Sequence, residues 1–140
     1  MTVIDTSGWL EYLADGPLAA QYEKYLAKPE AIITPSIAVT EVYKKVKKTK
    51  GAEVAMAVVA QMEKTRIIAL DEEIALLAGD LALAHSLALP QAITYATALR
   101  EEAQFLTADP HLKGLEQVTF LEKKPKDLPL LDYHQDNQAT

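Results

Sequence analysis

The 140-residue chain contains no cysteine. That excludes disulfides, thiolate zinc sites, iron–sulfur ligation and any thiol nucleophile, and it fits a reducing compartment. No apolar run approaches the about 20 residues of a membrane span. The N-terminus has Asp5 and no basic cluster ahead of an apolar stretch, so no secretion signal is read there. A cytoplasmic protein without membrane contact is expected. Glycine occurs at five positions, none of them in a P-loop or G-x-G-x-x-G array that would cradle phosphate. Positive charge is in deficit: 14 basic against 20 acidic residues leave a net charge of −6. Such a chain does not coat nucleic acid through bulk charge, although its acids can still gather around a metal.

What is present suits one compact unit. Hydrophobic residues make up 49% and charged residues 24%, too apolar for a disordered protein and enough for a core without staples. The β-favouring run Thr2-Val3-Ile4 ends at Asp5, and Trp9, Leu10 and Leu13 then recur at helical spacing up to Gly16-Pro17. A second helix is expected over Leu18–Leu26 and a strand over Ala31–Thr34, with Ser36 capping a helix that runs to Lys50. An alanine-rich helix follows from Ala52 to Lys64, then a strand over Arg66–Leu70. Asp71 caps a long helix whose apolar face is expected to hold Ile74, Leu77, Leu81 and Leu83 or Ala84. Pro90 starts another helix, and Phe105–Thr107 and Val118–Leu121 read as the last strands. Strands alternating with helices predict an α/β/α sandwich with a mostly parallel central sheet over residues 1–122. A polar, partly mobile extension is expected over residues 123–140.

Functional residues of parallel sheets gather at the carboxyl ends of the strands. Asp5 lies at one such end and Asp109 just past another, while Glu41 sits about one turn inside the helix after the second strand. Three carboxylates meeting there make a hard-oxygen site suited to Mg²⁺ or Mn²⁺, and such ions activate water for attack on a phosphodiester. Each acid also has a plainer reading, as a helix cap or a solvated side chain. Lys44, Lys45, Lys47, Lys48 and Lys50 follow Glu41 closely, leaving nine basic residues elsewhere. They are either a solvated helix face or a basic flank for RNA phosphates. His85, His111 and His134 show no metal-ligand spacing, and Ser7 has no histidine partner for a Ser–His–Asp triad. Trp9, Tyr12, Tyr22 and Tyr25 cluster in the first two helices and read as core or interface rather than as a base-stacking platform.

The wording around the acids adds a resemblance. Val3-Ile4-Asp5-Thr6-Ser7 resembles the opening motif of PIN-domain nucleases, especially the VapC-type toxins of prokaryotic toxin–antitoxin pairs. Ser36-Ile37-Ala38-Val39-Thr40-Glu41-Val42 is similar to the glutamate-bearing segment of that family. Ala92 to Leu99 and Phe105-Leu106-Thr107-Ala108-Asp109 continue the likeness in the same order. The resemblance implies Mg²⁺-dependent (or Mn²⁺-dependent) cleavage of RNA, inhibition by a cognate antitoxin, and a homodimer. It assigns Asp5, Glu41 and Asp109 to the metal and to catalysis, with Thr6 and Thr107 supporting them. One position departs: where the family places a further acid directly before the Ala-Ile-x-x-Ala-Thr-Ala helix, this chain has Gln91. Gln91 retains a carbonyl oxygen as a ligand but lacks the charge, which leaves open a PIN-derived module that binds RNA or a partner and cleaves nothing. Asp80, roughly three turns before Pro90 in mid-helix, is a poor substitute for the missing acid.

Overall fold

The computed structural model describes residues 1–123; apart from Lys123, the expected C-terminal extension lies outside the described residues. The elements run β1 (Thr2–Ile4), α1 (Thr6–Leu13), α2 (Ala19–Leu26), β2 (Ile32–Pro35), α3 (Ser36–Lys50), α4 (Ala52–Met62), β3 (Arg66–Ile68), α5 (Glu72–His85), α6 (Leu89–Arg100), β4 (Gln104–Thr107) and β5 (Val118–Phe120). Short 3₁₀ turns occupy Pro29–Ala31 and Pro110–Leu112. The strands form one five-stranded sheet in the order β3-β2-β1-β4-β5, and every pairing is parallel. The expected α/β/α sandwich is therefore the observed architecture.

Successive strand residues point to opposite sheet faces, and the two faces carry different cores. Val3, Ile33 and Phe105 pack with Ile74, Ala78, Tyr95 and Ala96 of α5 and α6. Ile4, Ile32 and Leu106 pack on the other side with Trp9, Tyr22, Val42 and Met62 of α1 to α4. Burying side chains of this size contributes about 1.5–3 kcal/mol each. The aromatics of the first helices divide as their spacing allows: Trp9 and Tyr22 are fully buried, while Tyr25 is exposed. Gly8 is required where α1 passes α2. A Cβ there would stand 2.6 Å from Tyr22 Cε1 and 2.8 Å from Ile4 Cγ2.

Two local expectations are corrected. Ser36 does not cap α3; the cap position is Pro35, and the Ser36 hydroxyl instead accepts the Leu70 N–H at 3.2 Å, tying the end of β3 to α3. Pro35 is still paired with Ile68 in the sheet, so the chain leaves the strand one residue earlier than a Ser36 cap requires. Leu83 and Ala84 do not belong to the apolar face of α5. Ile74 and Ala78 are its buried residues, whereas Leu83 is 86% exposed. At about 100° per residue, Leu83 lies on the side of the helix opposite Ile74.

Candidate active site

The carboxyl edge of the sheet brings together residues from four separate segments. A pocket of about 170 Å³ is lined by Asp5, Thr6, Ser7, Glu41, Pro90, Gln91, Thr94 and Asp109, and none of these is basic.

Each acid is fixed by local structure before it has any chemistry to do. Asp5 leaves β1 in an extended conformation and caps α1, its Oδ1 accepting the Gly8 N–H at 2.8 Å. Its other oxygen accepts the Thr107 hydroxyl at 3.0 Å, and the same Thr107 oxygen accepts the Asp109 N–H at 3.1 Å. Thr107 thus joins the ends of β1 and β4 and sets the spacing of two acids more than a hundred residues apart in sequence. Asp109 Oδ1 accepts the His111 N–H at 3.0 Å as the cap of the second 3₁₀ turn, with His111 Nδ1 at 2.9 Å from the same oxygen. Glu41 enters from the second turn of α3 and accepts the Thr6 hydroxyl at 2.6 Å. Thr6 and Thr107, expected as supports, each hold one of the acids.

Gln91 sits at the start of α6 with both ends of its amide engaged. Its Oε1 accepts the Ala88 N–H at 3.3 Å and its Nε2 donates to Asp109 Oδ2. The orientation follows from the partners, because a backbone N–H only donates and a carboxylate only accepts. The oxygen expected as a ligand therefore faces Ala88, and the amide nitrogen faces the acid.

Electrostatically the pocket is a concentration of negative charge with no cation in its lining. Burial pushes the Asp5 carboxyl from 3.8 up to about 6; the charge of Asp109 adds to the rise, while hydrogen bonds from Gly8 and Thr107 oppose it. Behind it, the Tyr22 hydroxyl is raised by burial and by the charges of Asp5 and Glu11. Among the described residues, no three acidic or histidine side chains stand close enough together to ligate one ion by themselves. Magnesium is normally held by one or two carboxylates with water completing its octahedron. The donors present fit that demand: Asp5 and Asp109 are linked through one threonine, oxygens are the dominant ligand type, and Asp5 ionises at a cost that a divalent cation would remove.

The other sequence candidates lie outside this pocket. Lys44, Lys45, Lys47, Lys48 and Lys50 are all exposed along α3. Asp80 is exposed in the middle of α5. His85 packs edge-on to Tyr95, with ring centroids 6.2 Å apart. Sequence reasoning does not assign three neighbours to this site: it weighs Ser7 only as a triad nucleophile, and it does not single out Thr94 or Lys123. Ser7 and Thr94 line the pocket; helical spacing from Gln91 signals Thr94, whereas Ser7, two residues after Asp5, has no such spacing. Lys123, by contrast, lines an adjoining cavity with Ser7, Glu11 and Asp109, and no local pattern announces a basic residue there.

A family model described as the PIN domain matches residues 2–118. Among curated proteins, none matches this chain in sequence. Solved structures share the fold. A toxin–antitoxin complex from Klebsiella pneumoniae has a chain that superposes with a TM-score of 0.76 at 22% identity, over 88% of this chain and 100% of that one. VapBC2 from Rickettsia felis, bound to a DNA fragment from its promoter, gives 0.67 at 16% identity over 86% and 97% of the two chains. The Mycobacterium tuberculosis toxin VapC20, which cleaves the sarcin–ricin loop, gives 0.62 at 16% identity over 74% and 85%.

Proposed function

Because this chain belongs to the PIN-domain family, we propose that it is a metal-dependent endoribonuclease of the VapC type, the toxin of a toxin–antitoxin pair. The observation that carries the reading is the meeting of Asp5, Glu41 and Asp109, from three distant segments, in one pocket whose lining has no cation. Asp5 and Asp109 would hold Mg²⁺ or Mn²⁺. Such an ion supplies an activated water and neutralises charge developing on a phosphodiester. Glu41, oriented by the Thr6 hydroxyl, positions the attacking water through its second oxygen. Thr107 keeps Asp5 and Asp109 at a fixed separation. The lysines that follow Glu41 on α3 hold RNA phosphates beside the acids, in a surface otherwise rich in negative charge. The partners of this reading are RNA, a cognate antitoxin and a second copy of the chain. The similar solved structures from Klebsiella and Rickettsia are toxin–antitoxin assemblies, which supports the antitoxin. No single helix among the described residues is long and apolar enough to cross a membrane, in keeping with a cytoplasmic site of action.

The test is cleavage of a generic RNA with and without chelator, in the wild type and in Asp5→Asn. Metal-dependent cleavage lost in the variant supports the enzyme; cleavage equal in both removes Asp5 from the chemistry.

One observation favours a second reading. The Gln91 amide donates to Asp109 and so occupies an oxygen that a metal would otherwise use. A PIN domain closed in this way binds RNA or a partner without cutting. Wild-type protein that cleaves nothing at any divalent-ion concentration, while Gln91→Asp cleaves, would select this reading.

A further inference from the structure

Beside the acid pocket lies a second cavity of about 300 Å³, and Ser7 and Asp109 belong to the walls of both. Its size is at the lower end of the range for small-ligand sites. A nucleotide chain with a phosphate at the acids has a base within reach of it. The cavity also holds a hydroxyl without a partner. Tyr22 is 1% exposed, and its ring lies against Gly8 where α1 passes α2. Among the described residues its hydroxyl makes no hydrogen bond, and Trp9 Nε1 is the only unpartnered side-chain polar atom that is wholly enclosed. The Tyr22 oxygen therefore opens onto the cavity that it lines. A buried hydroxyl left in this way is costly unless a ligand group meets it. The charges of Asp5 and Glu11 both act on that hydroxyl, which sets it near the two carboxylates. Glu11 Oε2 accepts the Leu18 N–H at 2.7 Å, and its other oxygen has no hydrogen-bond partner among the described residues. Lys123 is the basic residue of the lining, and Leu18 and Pro110 supply apolar wall.

We propose that this cavity receives a guanine base of the RNA, next to the phosphodiester held at the acids. The proposal rests on the ribonuclease reading for its substrate, and it adds a preference for one base. Unstacked bases of single strands are read along their Watson–Crick edges, with their faces against flat or apolar side chains. Guanine alone presents two adjacent donors on that edge, N1–H and the N2 amine, followed by an acceptor, O6. A carboxylate takes two adjacent donors at once, which gives Glu11 the donor pair. The Lys123 ammonium and the Tyr22 hydroxyl are the donors available to O6. Adenine and cytosine set one amine beside an acceptor that a carboxylate repels, and uracil sets a single N–H between two acceptors. The mixed lining thus matches guanine and penalises the other three.

The experiment is an amide NMR titration of the full chain with uncharged nucleosides in the presence of chelator, so that neither metal nor phosphate contributes. Guanosine is expected to shift the Leu18 and Ala108 amides and to bind at least about tenfold more tightly than adenosine, cytidine or uridine. Inosine, which lacks the N2 amine, should fall between. Glu11→Gln keeps an acceptor for the Leu18 N–H and should reduce the guanosine preference to within about twofold. Tyr22→Phe keeps the ring against Gly8 and should weaken guanosine a few-fold while leaving uridine unchanged. Circular dichroism melts establish that both variants fold. No binding of guanosine by the wild type, equal binding of all the nucleosides, tighter binding of another one, or a preference that survives Glu11→Gln would each overturn the proposal. Mapping of cuts in a mixed-sequence RNA with Mg²⁺ separates the pocket from the chemistry. Cuts beside guanosine support both. Cuts without base preference overturn the guanine pocket and leave the nuclease standing, whereas guanosine binding without any cleavage supports the pocket and counts against the nuclease.

Discussion

The pocket at the carboxyl edge and the lysine flank of α3 are both dense in charge, yet they are built in opposite ways. In the pocket, the carboxylates are partly withdrawn from water and each is held by a named donor: Gly8 and Thr107 for Asp5, Thr6 for Glu41, His111 and Gln91 for Asp109. On α3 the lysines stand in solvent; among the described residues, Lys47 alone of the five has a side-chain hydrogen bond, donated to the Tyr43 hydroxyl at 3.2 Å. Charge withdrawn from water and fixed in place interacts strongly and responds sharply to single changes. Charge in solvent is screened within about 8 Å at physiological salt. Substitutions in the pocket should therefore act one at a time and by large factors, whereas those on the flank should act additively and depend on salt.

The largest effect is expected at Asp5. Asp5→Asn keeps the N-cap acceptor for Gly8 and removes the charge. Under the proposed function Asp5 would hold the ion, so metal-dependent RNA cleavage should fall by at least about 100-fold. Stability should move the other way. The folded-state value of about 6 stands above 3.8 for the free group, so ionising Asp5 disfavours the folded state. The penalty is absent well below pH 4, grows between those two values and is complete above pH 6. In the presence of chelator, Asp5→Asn should be more stable than the wild type at pH 7.5, on the order of 3 kcal/mol, with the difference vanishing as pH falls below 4. Thermal melts across that range read it directly; a gain that does not change with pH would show that the charge of Asp5 is not what burdens the fold.

Gln91→Asp sharpens the comparison from within the pocket. It converts the donor on Asp109 into a fourth acid. One charge–charge interaction at about 4 Å and an effective dielectric of 20 is worth about 4 kcal/mol, and water and neighbouring acids reduce it. Divalent-ion affinity by calorimetry should rise on the order of tenfold to a hundredfold. Equal affinity in both proteins would mean that Gln91 already serves the site as well as an acid. Thr107→Val comes next. Loss of the hydroxyl that joins Asp5 to Asp109 should cost about 10–100-fold in metal affinity or cleavage, the scale of residues that orient ligands. Cleavage that survives Thr107→Val unchanged would show that the backbone alone sets their spacing.

Much of this was legible in the sequence, and the parts that were not share a cause. The parallel sheet follows from strands alternating with helices, and Asp5, Glu41 and Asp109 could be placed at its carboxyl edge because strand ends and helix turns fix position along the chain. Whether Gln91 offers oxygen or nitrogen to the pocket was not legible. It depends on the Ala88 N–H, which the fold of the turn before α6 brings to the amide oxygen. The fate of Leu83 was hidden for a related reason. An alanine-rich helix such as α5 has no strong apolar stripe, and the narrow face chosen by packing against α6 leaves a leucine outside. Ser36 reads as a cap from composition, but the pairing of Pro35 with β3 decides where α3 begins.

The smallest effects are expected on the flank, and their pattern along α3 is specific. At about 100° per residue, Lys44, Lys45 and Lys48 lie within about 60° of Glu41, whereas Lys47 and Lys50 point to other sides of the helix. Replacing any one of the first three by Gln should weaken RNA binding by a few-fold and reduce the slope of log affinity against log salt by about 0.7, the share of one phosphate contact on a single strand. Lys50→Gln should change neither. The ordering separates two uses of the same five charges, because a merely solubilising face has no reason to distinguish Lys45 from Lys50. Equal salt slopes for all five substitutions would reduce the flank to such a face. A loss confined to the Glu41 side would tie its charge to substrate held across the acids.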